Sequence, residues 1–195
     1  MKFFIATKNQ HKMQEFKKIL EKSNIELICE TDLSSPIEDV EENGTTFEQN
    51  ALIKAKSGLA ATGLPSIADD SGLCVDFLGG EPGIYSARYA GEHGDDGANN
   101  EKLLKKLDGV PTEKRTARFV CAIACVFPDG REFTVTGSCE GYIADAPSGN
   151  GGFGYDPLFV SEIGCFGEIS PEQKNKVSHR AKAIEKFEIE LKKYI

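Results

Sequence analysis

Hydrophobic and polar residues follow one another along the chain with two different periods. Apolar residues spaced three or four positions apart predict amphipathic helices, whereas short apolar runs bounded by turn residues predict buried strands. Helices are expected over residues 9–22, 47–62, 99–107 and 181–195. Strands are expected over residues 2–6, 25–29, 66–68, 73–78, 117–127, 132–138 and 155–160. Because helices alternate with strands, the pattern predicts an α/β fold with a mixed sheet.

Residues with strong turn and capping preferences separate these segments. Thr45 or Thr46 precedes the second helix as its candidate cap, and Gly63 follows it as a stop signal. The turn at residues 128–130, with the sequence Pro-Asp-Gly, joins two strands into a predicted hairpin. The chain contains no repeat, linker or low-complexity tract, so we predict a single domain over residues 1–195.

The charge balance limits the partners to be expected. The chain has 23 lysines and arginines against 31 aspartates and glutamates, a formal net charge of -8. This charge opposes binding to a nucleic-acid backbone or an anionic membrane, so an anionic ligand needs a local basic site. The apolar runs are too short to span a bilayer, and the N-terminal run is too short for a signal peptide. We therefore expect a cytoplasmic protein that binds neither nucleic acid nor membranes.

Six cysteines are scattered through the chain, without a Cys-x-x-Cys pair or a histidine at zinc-ligand spacing. Cys74, Cys121 and Cys125 lie in apolar runs, where cysteine behaves as a small hydrophobic residue. We expect thiols outside disulfides, and a catalytic thiol is the less favoured alternative.

The segment at residues 7–12, Thr-Lys-Asn-Gln-His-Lys, follows the first strand and opens the first helix. Free backbone N–H groups and the positive end of the helix dipole favour an anion such as phosphate at this place. Thr7 and Asn9 add short polar groups, and Lys12 adds positive charge one turn later. The segment lacks the Walker A pattern. A capped helix with solvated lysines is the equally open alternative.

An acidic pair, Asp69 and Asp70, precedes Ser71 and Gly72 between two predicted strands. Adjacent carboxylates at a strand-to-turn junction repel each other and are commonly relieved by strong donors or a divalent cation, of which Mg²⁺ is the natural candidate. Glu41 and Glu42 in the acidic loop are candidates to complete the oxygen ligands. The alternative is a solvated acidic turn.

Two further clusters lie towards the C-terminus. The glycine-rich residues 149–157 combine backbone freedom with Phe153, whose ring can stack on a flat base. A basic cluster before the last helix can bind phosphate or a carbonyl oxygen. Its members are Lys174, Lys176, His179 and Arg180. A hairpin tip and a solvated basic face are the respective alternatives.

Taken together, six segments resemble motifs of the inosine triphosphate pyrophosphatase family, in the order of that family. They are residues 6–12, 47–51, 68–73, 80–89, 151–157 and 178–180. The resemblance spans nearly the whole chain. Two positions depart from the family pattern: Lys8 stands where glycine is frequent, and Gln49 stands where glutamate is usual. The second departure removes a carboxylate and therefore bears on metal affinity.

The resemblance implies Mg²⁺-dependent hydrolysis of ITP, dITP, XTP and dXTP to the monophosphate and pyrophosphate, with water attacking the α-phosphorus. It implies a mixed central sheet flanked by helices, two lobes with the active site in a cleft between them, and a homodimer. Donors placed against a 6-oxo group reject the 6-amino group of ATP. How GTP is discriminated at its 2-position is left open by the sequence.

The resemblance also implies residue roles. Glu42 and Asp70 hold Mg²⁺, and Asp70 also orients or deprotonates the attacking water. Glu42 is preferred to Glu41 because the family's Glu-x-Gly step falls on it. The implied substrate-binding residues are Thr7, Lys8, Asn9, Gln10, His11, Lys12, Lys54, Ser71, Phe153, Gly154, Tyr155, Asp156, Lys174, His179 and Arg180.

Two other functions are compatible with these residues. One is a nucleotide pyrophosphatase of different base preference, such as the related Maf-like proteins, against which the match at residues 178–180 argues. The other is a nucleotide-sensing module without turnover. The acidic pair argues against this module, because a protein that only binds an anion gains little from extra carboxylates unless a metal is bound.

Overall fold

The computed structural model describes residues 1–7, 9, 12–14, 16–17, 25–33, 36–37 and 40–195. The predicted site residues Lys8, Gln10 and His11 lie outside the described residues, as do parts of the first predicted helix. Residues 12–14 and 16–17 are helical, in agreement with that prediction.

A mixed seven-stranded sheet runs through the fold. Its strands are β1 (Lys2–Ile5), β2 (Glu26–Ile28), β3 (Ser66–Val75), β4 (Thr116–Val126), β5 (Glu132–Ile143), β6 (Phe159–Ser161) and β7 (Gly164–Cys165). Their order across the sheet is β2-β1-β3-β4-β5-β6-β7. β1 pairs in parallel with β2 and β3, whereas β6 is antiparallel to β5 and β7. The predicted α/β fold with a mixed sheet flanked by helices is confirmed.

The helices begin after residues whose side chains accept hydrogen bonds from the first helical turn. They include α1 (Phe47–Thr62), α2 (Asp96–Lys106), α3 (Pro171–Val177) and α4 (His179–Leu191). In α1, Oγ1 of Thr46 accepts a hydrogen bond from the N–H of Gln49 at 3.2 Å, and Gly63 ends the helix with a φ of 68°. α2 begins at Asp96 rather than at the predicted residue 99, because Asp95 caps it.

The prediction of two strands separated by an acidic turn was wrong. β3 is continuous and includes Asp69, Asp70, Ser71 and Gly72. The strand has hydrogen-bonded neighbours on both sides, β1 and β4, and this pairing outweighs the local turn preference of aspartate, serine and glycine. β3 ends at Val75, where a short 3-10 helix replaces the predicted end of the second strand.

Two other strands have bounds that differ from the prediction. The segment expected as a strand over residues 155–160 begins with a turn, in which the N–H of Leu158 donates to the carbonyl of Tyr155, and pairing starts only at Phe159. β5 continues to Ile143 rather than ending at residue 138. The predicted hairpin between β4 and β5 is confirmed, since the two strands are neighbours in the sheet and the turn at residues 128–130 joins them.

The chain divides into two compact units, each with its own aromatic core. Unit 1 comprises residues 1–70, 121–137 and 183–195, and unit 2 comprises residues 71–120 and 138–182. The core of unit 1 contains Phe3, Phe16, Phe127, Phe133 and Phe187, and the core of unit 2 contains Leu103, Phe119, Phe159 and Phe166. The single domain and the cleft between lobes stay predictions.

A glycine lets α1 approach the sheet closely. A Cβ atom at Gly58 would lie 2.4 Å from Oγ of Ser66 and 2.7 Å from Cδ1 of Phe4, so a larger residue does not fit without displacing β1 or β3. α1 packs against β1 at this place. This close approach brings the polar side chains of α1 to the strand that carries Asp70.

None of the six cysteines, all of which lie in the described residues, forms a disulfide, as expected. Of these cysteines, only Cys74 is more than slightly exposed. Within the described part of the chain, no helix combines the length and the apolar character that crossing a bilayer requires.

Candidate active site

Asp70 accepts hydrogen bonds from two side chains of α1. Its Oδ1 accepts from Nζ of Lys54 at 3.2 Å, and its Oδ2 accepts from Nδ2 of Asn50 at 3.2 Å. The two donors lie one helical turn apart, so they face the same point. Nζ of Lys54 also lies 3.1 Å from Oε2 of Glu42. The structure therefore brings Glu42 and Asp70, the two predicted metal ligands, to the same lysine.

Burial and opposite charge act against each other in this cluster. Burial raises the pKa of Asp70 above its usual range, against the opposing effect of Lys54. For Lys54, burial disfavours the charged form, but the carboxylates of Asp70, Asp69 and Glu42 outweigh it and raise the pKa of the ammonium. Lys54 consequently stays protonated at neutral pH and neutralises part of the acidic charge.

Asp69 has a different lysine partner. Its Oδ2 lies 2.8 Å from Nζ of Lys12, and the side chains of Asp69 and Lys12 are only 1% and 16% exposed. Successive residues of a strand point to opposite faces of the sheet, so Asp69 and Asp70 form their ion pairs with different lysines. The repulsion expected for the acidic pair is relieved here by two lysines.

The described residues of the predicted phosphate segment are Thr7, Asn9 and Lys12. Oδ1 of Asn9 accepts from the N–H of Lys12 at 3.2 Å, and Oγ1 of Thr7 accepts from the N–H of Asn9 at 3.2 Å. Asn9 thus caps the helix, as the alternative of a capped helix predicted. The alternative of a solvated Lys12 was wrong, because its ammonium is paired with Asp69 and its side chain is mostly buried.

Asn50 is a site residue that the sequence analysis did not select. It is 1% exposed, and its Oδ1 accepts from the N–H of Gly44 at 2.9 Å while its Nδ2 donates to Asp70. A Cβ atom at Gly44 would lie 2.6 Å from this Oδ1, so glycine permits the approach. Asn50 therefore ties the loop that carries Glu42 to the strand that carries Asp70. Its position one turn before Lys54 was the available signal.

Gln49, the departure from the family pattern, has a structural role. Its Oε1 accepts from the backbone N–H of Thr45 at 2.7 Å and from Oγ1 of Thr45 at 3.0 Å. This arrangement holds the first turn of α1 together with the cap at Thr46. The side chain is thus engaged at the start of the helix that carries Asn50.

In unit 2, Asp156 organises the glycine-rich segment. It is 2% exposed, and its Oδ2 accepts from the N–H of Phe153 at 2.9 Å and from Nζ of Lys174 at 2.5 Å. A Cβ atom at Gly152 would lie 2.1 Å from the same oxygen. Nζ of Lys174 also lies 4.8 Å from the centroid of the Phe153 ring, a cation–π distance. Phe153 remains 38% exposed, which leaves ring surface for stacking.

Two members of the basic cluster are buried at the start of α4. The ring of His179 stacks on that of Phe119 at a centroid distance of 4.9 Å and an interplanar angle of 17°. Nη2 of Arg180 donates to Oγ of Ser71 at 3.2 Å. The alternative of a solvated basic face was therefore wrong for these two residues. It does describe Lys176, which is exposed.

Tyr155, another predicted substrate-binding residue, is 3% exposed, and its hydroxyl donates to the carbonyl of Ser86 at 2.8 Å. Burial raises the pKa of this phenol, so it stays neutral. Oγ of Ser86 in turn accepts from the N–H of Leu73 at 2.9 Å. The 3-10 helix Gly83–Arg88 thus joins the end of β3 to the glycine-rich segment.

The carboxylates of unit 1 fit a magnesium ion by their chemistry. In the part of the chain that the structure describes, no three histidine, cysteine or acidic side chains are grouped to hold a metal. Mg²⁺, however, prefers oxygen ligands and is commonly held by one or two carboxylates, with water and substrate phosphates in the other positions. Glu42 and Asp70, which meet at Lys54, supply such a pair.

Enzymes of phosphoryl transfer use lysines to bind phosphates and carboxylates to hold Mg²⁺, and the cluster of Glu42, Lys54 and Asp70 combines both residue types. The Ham1 family pattern matches residues 3–189, and the chain belongs to this family. The family predicted from the motifs is thereby confirmed.

Relatives cover almost the whole chain. A protein of Geobacillus kaustophilus named dITP/XTP pyrophosphatase is 50% identical over 186 residues, which cover 94% of this chain and 91% of that protein. A Bacillus licheniformis protein of the same name is 52% identical over 185 residues, covering 94% of each. The solved structure of the Staphylococcus aureus Ham1 protein has a TM-score of 0.90 and 43% identity, and covers 100% of both chains.

Proposed function

We propose that this chain hydrolyses non-standard purine nucleoside triphosphates, namely ITP, dITP, XTP and dXTP, to the monophosphate and pyrophosphate. It is a nucleoside triphosphate pyrophosphatase, a hydrolase of phosphorus anhydrides that cleanses the nucleotide pool. One observation carries this proposal: the cluster of Glu42, Lys54 and Asp70 lies in a chain half identical to relatives named dITP/XTP pyrophosphatase.

Mg²⁺ is the proposed cofactor, and Glu42 and Asp70 would hold it. When bound, it supplies positive charge that neutralises the triphosphate. Both side chains are carboxylates, and oxygen ligands favour this choice over a metal that prefers nitrogen or sulfur.

The chain's own residues bind the phosphates and orient the nucleophile. Lys12 and Lys54 each lie in an ion pair with a carboxylate, so both side chains are already held in place where a phosphate group would bind them. Thr7 and Asn9 offer short polar groups at the adjoining helix start. Asp70 accepts a hydrogen bond from the attacking water and directs its oxygen to the α-phosphorus.

The residues of unit 2 bind the base and the sugar. Phe153 stacks on the purine, and Lys174, His179 and Arg180 present donors to its edge, with Asp156 fixing the position of Lys174. A 6-oxo group accepts from such donors, whereas a 6-amino group leaves them unpaired. This difference accounts for the rejection of ATP. GTP shares the 6-oxo group and must be disfavoured at its 2-position.

We also propose that the protein acts in the cytoplasm as a homodimer, without nucleic acid or membrane partners. The net charge of -8 supports the absence of polyanionic partners. Light scattering on the purified protein tests the dimer: a mass near twice the 21.2 kDa of one chain is expected, and the mass of one chain contradicts it.

The decisive experiment measures products with dITP, XTP, GTP and ATP, each with and without Mg²⁺. Equal amounts of pyrophosphate and monophosphate from dITP and XTP, dependent on Mg²⁺, are expected, with little turnover of ATP. Release of inorganic phosphate in place of pyrophosphate contradicts the reaction type. Preferential use of other bases favours the Maf-like alternative, and tight binding without any product favours the sensing module.

A further inference from the structure

Helix α2 holds the backbone of Gly154 at two atoms. Oδ2 of Asp96 accepts from the N–H of Gly154 at 2.6 Å, and Nδ2 of Asn100 donates to its carbonyl oxygen at 2.8 Å. Asp96 and Asn100 are four positions apart and therefore lie on one face of the helix. Both hydrogen-bonding groups of a single residue are thus held by two side chains of one rigid element.

Gly154 needs this support because of its conformation. Its φ is 60°, in the left-handed region that glycine adopts freely, and no atom lies within 4 Å of the place where a Cβ would stand. Gly154 has no side chain to pack, and glycine has more conformational freedom to lose than any other residue. The hydrogen bonds from Asp96 and Asn100 restrict this freedom directly beside Phe153.

Neither of the two side chains caps α2. Asp95, not Asp96, caps the helix, because its Oδ1 accepts from the N–H of Ala98 at 2.9 Å. The Oδ1 atom of Asn100 is buried and accepts no hydrogen bond within the described residues. A buried acceptor left unpaired is unfavourable. The amide at this position is therefore explained by its bond to Gly154 and not by local stability.

We propose that Asp96 and Asn100 are positioning residues that hold the ring of Phe153 ready for the purine base. The proposal rests on the proposed function for the identity of the ligand. Asp156 restrains the segment from the other side, through the N–H of Phe153. A ring that is already ordered loses less conformational freedom when the base binds, so the contribution of α2 lies in binding and not in the chemistry at phosphorus.

Kinetics separate positioning from general stability. In Asp96→Ala and Asn100→Ala, the KM for dITP should rise about three- to tenfold while kcat changes less than about twofold. Asp96→Asn keeps an acceptor oxygen for Gly154 and should restore a KM near that of the wild type. An Asp96→Ala enzyme with wild-type KM, or Asp96→Asn with the same defect as Asp96→Ala, overturns the proposal.

The matched control is Asp95→Ala. It removes the cap of the same helix without touching Gly154, so the midpoint of thermal unfolding should fall while the KM stays unchanged. If Asp95→Ala raises the KM as much as Asp96→Ala does, stability of α2 explains both effects and the positioning role is refuted.

A second measurement does not depend on activity. The chain contains no tryptophan, so Phe153→Trp places one indole reporter in the segment. Adding Asp96→Ala should increase quenching of this indole by acrylamide and lower its anisotropy, whereas adding Asp96→Asn or Asp95→Ala should not. Equal quenching in all variants overturns the proposal. Absence of pyrophosphate release from dITP by the wild type would instead refute the proposed function and leave this measurement valid.

Discussion

Nζ of Lys54 lies 3.2 Å from Oδ1 of Asp70, and both side chains are largely buried, at 17% and 12% exposure. The carboxylate at the centre of the candidate site thus already has a cationic neighbour. Removing one member of a buried ion pair leaves the other charge poorly compensated. Substitutions at either residue therefore change the charge of the site as well as its shape.

Asp70→Asn should abolish turnover, with a loss of kcat of at least about 100-fold, while the protein stays folded. The amide keeps the shape of the side chain but loses the charge that attracts a cation and orients water. Pyrophosphate release and circular dichroism measure the two effects. Asp76→Asn, at an exposed aspartate of unit 2, is the control and should keep full activity. Near-normal kcat in folded Asp70→Asn removes Asp70 from the mechanism.

Lys12→Ala should raise the KM for dITP and lower the stability, because it removes a phosphate ligand and the partner of the buried Asp69. Steady-state kinetics and thermal unfolding report these changes. Lys2→Ala breaks an ion pair with Glu26 in which both side chains are more than half exposed, and should change neither quantity. If KM and kcat of Lys12→Ala equal those of the wild type, Lys12 does not bind the substrate.

Arg180→Ala should reduce the kcat/KM for dITP more than that for ATP. A donor that meets a carbonyl in one substrate and an amino group in the other contributes about 1–3 kcal/mol to discrimination. Both substrates are to be measured on the same variant, and Lys176→Ala, at an exposed lysine of the same basic cluster, is the control that should change neither value. A parallel loss for both nucleotides shows that Arg180 binds phosphate and contradicts base reading.

The cysteines should react slowly in the native protein. Burial raises the pKa of Cys125 to about 12, and burial also raises that of the more exposed Cys74. The thiolate is the reactive form, so at pH 8 both thiols stay protonated, and reactivity rises only as the pH approaches the raised pKa. An aromatic disulfide reagent should detect all six thiols after unfolding. Rapid reaction of six thiols in the folded protein contradicts the buried positions.

Arg115 should be important for the stability of unit 2. It is 6% exposed, and its guanidinium donates to the carbonyl oxygens of Val110, Leu107 and Ala144 at 2.8, 3.0 and 3.2 Å. Arg115→Met leaves these acceptors without the donor and should lower the free energy of unfolding by about 2–4 kcal/mol. Denaturant titration measures the change.

Arg118→Met is the matched control for this prediction. It breaks exposed ion pairs with Asp76 and Glu140, which typically contribute less than about 1 kcal/mol. Equal destabilisation by the two variants shows that the carbonyl contacts of Arg115 have no special weight.

The sequence by itself determined those features whose cause is local. α1 begins after Thr46 and ends before Gly63, because a hydroxyl cap and a left-handed glycine act within a few residues of the helix ends. The hairpin around residues 128–130 is local in the same sense. The order of six short motifs was enough to predict the family.

The tertiary structure alone decided what depends on residues distant in the chain. Asp69 and Asp70 lie in a strand rather than a turn, because neighbouring strands pair with β3. Glu42 meets Asp70 at Lys54, because Gly58 lets α1 approach the sheet. The spacing of hydrophobic and polar residues along the chain does not determine the distances between these segments. They arise from packing between segments, and the free energy of that packing overrides the turn preference of an isolated peptide.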